Sequence, residues 1–119
     1  MSFWAFLNRF AADPFIDLVR QGRIDEFKAL VRASAEDSLL MVEVLQEYCK
    51  TTTDCLLAQN ESFFRIVLDE VSDELKRKRS FWQTVFDSIP DHMTTVRQAW
   101  WNLGARDHVS KGKFKYIDY

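Results

Sequence analysis

Glu43 and Glu47 stand one helical turn apart, the spacing at which two carboxylates share a face and could divide general acid and general base work. Both fall on the strip of their helix that faces water, where two carboxylates stay ionised, so no acid–base pair is expected. Asp69, Glu70, Asp73 and Glu74 are a denser acidic group and read as a solvated helix face. His92 lies in the first turn of a helix, and His108 lies beyond the last one, away from any carboxylate or thiol that would complete a triad. Cys49 and Cys55 are six apart, with Cys49 on an apolar helix face. A buried free thiol is expected there rather than a bridge, which points to a reducing compartment. The chain has no Gly-rich phosphate loop and no HExxH, ExxH or CxxC pattern. No catalytic, cofactor or metal site is therefore expected, and a small helical enzyme ranks last among the readings.

Residues that could bind are easier to find. Lys76, Arg77, Lys78 and Arg79 precede Ser80-Phe81-Trp82, and cations beside rings can hold phosphates and stacked bases. Phe81 and Trp82, however, fall on the apolar stripe of their own helix, and four cations also suit a helix C-terminus. Phe63 and Ile66 form a second apolar edge on their helix, off its main stripe and beside acidic residues, where packing between only two layers would leave them wet. Trp101 points about 100° from the stripe of Met93, Val96 and Trp100, at the margin where a tryptophan acts as an interface anchor. In the tail, Lys111, Lys113 and Lys115 accompany Phe114 and Tyr116, alternating charge and ring like an extended segment with one bound and one wet side.

The elements that position these groups are helices. Leu40, Met41, Val42, Val44, Leu45, Tyr48 and Cys49 spread over roughly 200° of a helical wheel, so Ser34 to Lys50 reads as a helix packed from two or three sides, opened by Ser34 and Asp37. Before it, Ser2 to Phe10 reads as a short amphipathic helix. Asp13-Pro14 opens the next, Gly22 ends it, and a third runs to about Ala33. After it, Thr51 to Asp54 is a break. Asn60 or Ser62 caps a long helix to Arg79, whose stripe is Phe64, Val67, Leu68, Val71 and Leu75. Ser80 and Gln83 make a capping box for a helix stopped by Pro90, and Asp91 caps the last helix, which Gly104 closes. Residues 105–119 have no helical period. The expected fold is all-α: one domain over residues 1–104, a compact bundle of about six to seven helices, with an extended C-terminal tail over 105–119.

Composition agrees with that fold. Hydrophobic residues make up 47% of the 119, with ten Phe and four Trp but only three Gly and two Pro, which favours helices packed through large rings over disorder or a turn-rich β-sandwich. Residues 1–75 carry seven Lys and Arg against fourteen Asp and Glu, residues 76–119 nine against four, so the two parts have charges of −7 and +5. Such asymmetry suits two surfaces with different partners. The opening Met1 to Phe10 is too short to span a bilayer and lacks the pattern of a signal peptide, so a cytoplasmic or nuclear location is expected.

Two resemblances follow. The passage EVLQEYCKTTTDCLLAQNESFFRIVL, helix, polar joint and Asn-led helix start, resembles armadillo- or HEAT-type helical units, which implies packing in antiparallel helical pairs. Met1 to Phe6, MSFWAF, is similar to the opening of the Sit4-associated family of phosphatase regulatory subunits, and no residue role is carried over from it. The function expected is a non-enzymatic protein–protein interaction module, an adaptor, inhibitor or regulatory subunit, with another protein or a second copy as partner. Its anchors would be Phe63, Ile66, Trp101, Phe114 and Tyr116. The alternative is a nucleic-acid-associated protein using Lys76, Arg77, Lys78, Arg79, Lys111, Lys113 and Lys115, a reading the net charge of −2 opposes.

Overall fold

The computed structural model describes the backbone of residues 3–52 and 56–109 and the side chains of residues 11–52 and 56–109. Among these residues all regular structure is helical: α1 (Phe3–Arg20), α2 (Ile24–Ser34), α3 (Ser38–Thr51), α4 (Leu57–Leu68), α5 (Asp73–Lys76), α6 (Arg79–Asp87), α7 (Thr94–Leu103) and one 3-10 turn, Ala105–Asp107. The Cα radius of gyration is 13.6 Å, close to the value of about 13.5 Å expected for a folded domain of this length. No described helix is long and apolar enough to cross a membrane.

The centre of the bundle is α3, as its wide apolar arc predicts. Met41, Val44, Leu45, Tyr48 and Cys49 are all buried, and the helix packs against α1, α2, α4 and α6. Its start differs in detail. Ser34 is the last residue of α2, and Asp37 alone caps α3, its carboxylate accepting from the Leu40 N–H at 3.1 Å.

Several expected boundaries moved, each for a tertiary reason. The residues Asp13-Pro14 do not divide two helices, since α1 runs unbroken from Phe3 to Arg20 with Pro14 on its exposed side. An internal proline costs about 3 kcal/mol of helix propensity. Burial of Ala12, Phe15 and Ile16, together with packing along α3, outweighs that cost. The other end of α1 is as the sequence implies. Gly22 adopts φ +71°, and the bonds Gly22 N–H to Val19 O (3.0 Å) and Arg23 N–H to Leu18 O (2.9 Å) close a Schellman motif that reverses the chain into α2.

The long helix expected over Ser62 to Arg79 is three pieces. It begins earlier, at Leu57, and stops at Leu68; Ser72 then caps the short α5 by accepting from the Leu75 N–H at 3.1 Å, and α6 starts at Arg79. The bend lets Val71 reach the core, where it is 5% exposed. Long antiparallel pairing of α3 with this segment is thereby lost. The dominant pairs are instead α1 with α3 and α4 with α7. Ser80 lies inside α6 and makes no cap bond, the N-cap being Lys78, and α7 begins at Thr94 after Met93, while Asp91 accepts instead from Arg97 Nη1 at 3.3 Å.

Chain beyond Gly104 also joins the fold. Ala105 and Val109 are buried, and the His108 ring stacks on Trp82 with centroids 5.4 Å apart and planes 9° from parallel. Residues 110–119 lie outside the described residues, so Phe114, Tyr116, Lys111, Lys113 and Lys115 have no structural account.

Candidate interaction groove

Helix α4 is covered on two faces, and this decides the fate of its second apolar edge. Phe64 meets Trp100 of α7, with ring centroids 5.0 Å apart. On the other side Phe63 stacks on Tyr48 of α3 at 3.7 Å and on Phe27 of α2 at 5.3 Å. The expectation that Phe63 is wet is corrected: it is 5% exposed, because α2 folds back over the edge that a two-layer packing would have left open. Offset and tilted ring contacts of this kind add about 0.5–1.5 kcal/mol each beyond area burial. Below the stack, the Tyr48 hydroxyl donates to Asn60 Oδ1 at 2.7 Å, so a fully buried amide ties α4 to α3.

Helix α2 does not seal α4 completely. Between them lie two adjoining chambers, of about 550 Å3 and about 440 Å3, which share Ile24, Ser62 and Ile66. The larger has Phe63, Phe27 and Tyr48 as its floor and Val19, Ile24 and Ile66 as its walls, and among the described residues Arg20 is the one charged side chain on its lining. Ile24 is 39% exposed, one of the few large apolar side chains that face water among the described residues. The smaller chamber has a charged rim, with Lys28 and Arg32 on the α2 side and Glu61, Arg65, Asp69 and Glu70 on the α4 side. Arg32 and Glu70 bridge the two helices at 3.2 Å, and Arg65 pairs with Glu61 at 3.5 Å. The arginine ends of both pairs are exposed while the glutamates are half-buried, and pairs this open to water contribute little to stability. What they do is fix the rim charges in pairs, leaving Arg20, Lys28 and Asp69 without an ion-pair partner among the described residues.

Of the sequence-derived anchors, Ile66 lines both chambers and Phe63 forms the floor of one. Trp101 is not with them and is not at the surface. It is 1% exposed, because α7 is packed by α4 on one side and by the turn Ala105–Asp107 on another, which buries Ala99, Trp100 and Trp101 in succession. The basic segment is also divided. Lys76 is committed to the fold: its Nζ donates to the Leu68 carbonyl at 3.0 Å, closing the end of α4, and pairs with Asp73 at 3.4 Å. Arg77, Lys78 and Arg79 are exposed, but the neighbouring rings Phe81 and Trp82 are each 3% exposed and unavailable for stacking on bases.

Arg20, Ile24, Gln59 and Ser62 line the groove, and none of them stood out in the sequence as a binding residue. They come from the end of α1, the start of α2 and the first turns of α4, so no single periodicity marks them. The one legible signal was the off-stripe pair Phe63 and Ile66. Among the described residues, no cluster of His, Cys, Asp or Glu could hold a metal ion. Cys49 is a free buried thiol, and burial pushes its pKa well above the ordinary thiol range, so it is a poor nucleophile. No protein-family model, no curated protein and no solved structure matches this chain.

Proposed function

We propose that this chain is a non-enzymatic interaction module that docks a segment of another protein in the groove between α2 and α4, as an adaptor, inhibitor or regulatory subunit of the cytoplasm or nucleus. The observation that carries the reading is the aromatic floor of Phe27, Tyr48 and Phe63 under the half-open walls of Ile24 and Ile66. A concave apolar chamber with a few polar groups at its edge is what a protruding side chain of a partner requires. The ring-stacked floor makes that site rigid before binding, so little ordering entropy opposes docking. The armadillo- or HEAT-like grain of the sequence, carried by its paired helices and the polar joint between them, is not needed for this function.

The test is a paired substitution, Ile24→Glu with Ile66→Glu. Both side chains are at least partly open to water, so the fold should persist by circular dichroism while a partner captured by the wild type, and then reconstituted from purified components, loses binding by tenfold or more, about 1.4 kcal/mol. Full binding by the folded double variant would refute the groove reading. The nucleic-acid alternative draws on exposed Arg77, Lys78 and Arg79 and predicts affinity for single- or double-stranded nucleic acid that falls steeply with salt. The buried Phe81 and Trp82 weigh against it.

A further inference from the structure

The unpaired charges along the groove select the chemistry of its occupant. Arg20 lines the larger chamber, Lys28 the smaller, and Ile24 lies in both, one helical turn before Lys28. That edge therefore reads cation, apolar residue, cation. Neither Arg20 nor Lys28 has a partner among the described residues, whereas on the opposite rim Glu61 and Glu70 are held by Arg65 and Arg32. The larger chamber is lined by no acidic side chain at all among the described residues. The side chains of Gln59 and Ser62, also on its lining, are exposed and make no hydrogen bond among the described residues, which leaves them open to a peptide backbone.

Resting on the docking function above, we infer that the occupant is a peptide segment in which a bulky apolar residue is flanked by acidic residues. The apolar side chain enters over Phe63, and the flanking carboxylates meet Arg20 and Lys28. A basic segment would bring like charges to both cations, and the resulting repulsion sets the selectivity. Asp69, a lining residue of the smaller chamber with no ion-pair partner among the described residues, limits the acidic preference to the portion of the segment near Ile24.

The isotope-labelled 119-residue chain would be titrated, by amide chemical shift, with three capped peptides of core Glu-Ile-Trp-Glu, Gln-Ile-Trp-Gln and Lys-Ile-Trp-Lys, and separately with decanoate. The acidic peptide should shift the amides of Ile24, Phe63 and Ile66 and bind about tenfold or more tighter than the lysine form at low ionic strength. Added salt should shrink that gap. In an Arg20→Glu, Lys28→Glu variant, whose changed residues are exposed and whose melting curve serves as the folding control, the order should reverse. Equal binding of the three peptides, with those same amides shifting, overturns the acidic preference and leaves the docking groove standing. No shift at those amides with any peptide removes both. Tighter binding of decanoate than of every peptide makes the chamber a small-carboxylate site and overturns the proposal.

Discussion

Gly104 ends α7 at a point where the backbone passes directly over the Trp82 indole. A Cβ built there would lie 2.7 Å from Trp82 Cζ2 and 2.9 Å from Cζ3, and closer still to Cη2. Its φ of 163° is ordinary extended backbone, so space and not conformation demands glycine. The indole has nowhere to retreat. It is 3% exposed, its Nε1–H donates to the Lys76 carbonyl at 2.7 Å, and it is enclosed by Phe81, Trp100 and His108 at centroid distances of 5.3, 4.6 and 5.4 Å. Gly104→Ala should therefore cost about 1–3 kcal/mol, the usual range for forcing a methyl group into a filled core. At roughly 4 °C per kcal/mol for a domain of this size, the melting temperature should drop by about 4–12 °C. Urea denaturation followed by tryptophan fluorescence measures the loss. The same alanine in a Trp82→Phe background, where the clashing atoms are gone, should cost measurably less. A Gly104→Ala loss below about 0.5 kcal/mol, or one unchanged by Trp82→Phe, would refute the steric argument. Gly22 is a contrast, since nothing lies within 4 Å of its Cβ position and φ is +71°. There alanine should cost about 1–2 kcal/mol through backbone strain alone, whatever happens to Trp82.

Leu45 is fully buried at the centre of α3, and Leu45→Ala should lose about 2–5 kcal/mol by chemical denaturation; a loss under about 1 kcal/mol would displace α3 from the centre. Phe63→Ser should lose about 3–5 kcal/mol because it empties the stack on Phe27 and Tyr48, and a variant that unfolds at the wild-type urea midpoint would contradict the burial of this ring. Cys49 has its folded-state pKa raised above its unfolded value, so the folded chain holds its proton after the unfolded chain has lost it. Stability from this thiol is full below about pH 9 and falls above it, by at most about 1.4 kcal/mol per pH unit, and Cys49→Ala should flatten that alkaline slope in urea melts.

Much of the fold was written in the period of apolar residues. The 3.6-residue spacing is local and marks the buried face of α3, and residue type alone marks the turn at Gly22 and the stops near Pro90 and at Gly104, without knowledge of any neighbour; the start of α3 at Asp37 instead of Ser34 is not marked in this way. The absence of phosphate-loop and metal-ligand motifs is equally a property of the chain alone. Other features depended on what packs against what. Pro14 was misread as a boundary because the apolar packing around it outweighs a local helix penalty, and Ser72 was missed as a cap because a continuous stripe from Phe64 to Leu75 hides the bend that buries Val71 from another direction. Phe63 and Trp101 looked like surface anchors because the wheel of one helix shows only where a residue points. The number of neighbours covering that direction is decided elsewhere, by α2 over Phe63 and by the turn after Gly104 over Trp101. The groove has the same origin: its walls come from α1, α2, α3 and α4, and its charge pattern arises only where the end of one helix and the start of the next are brought beside a third, a juxtaposition that exists in the tertiary structure alone.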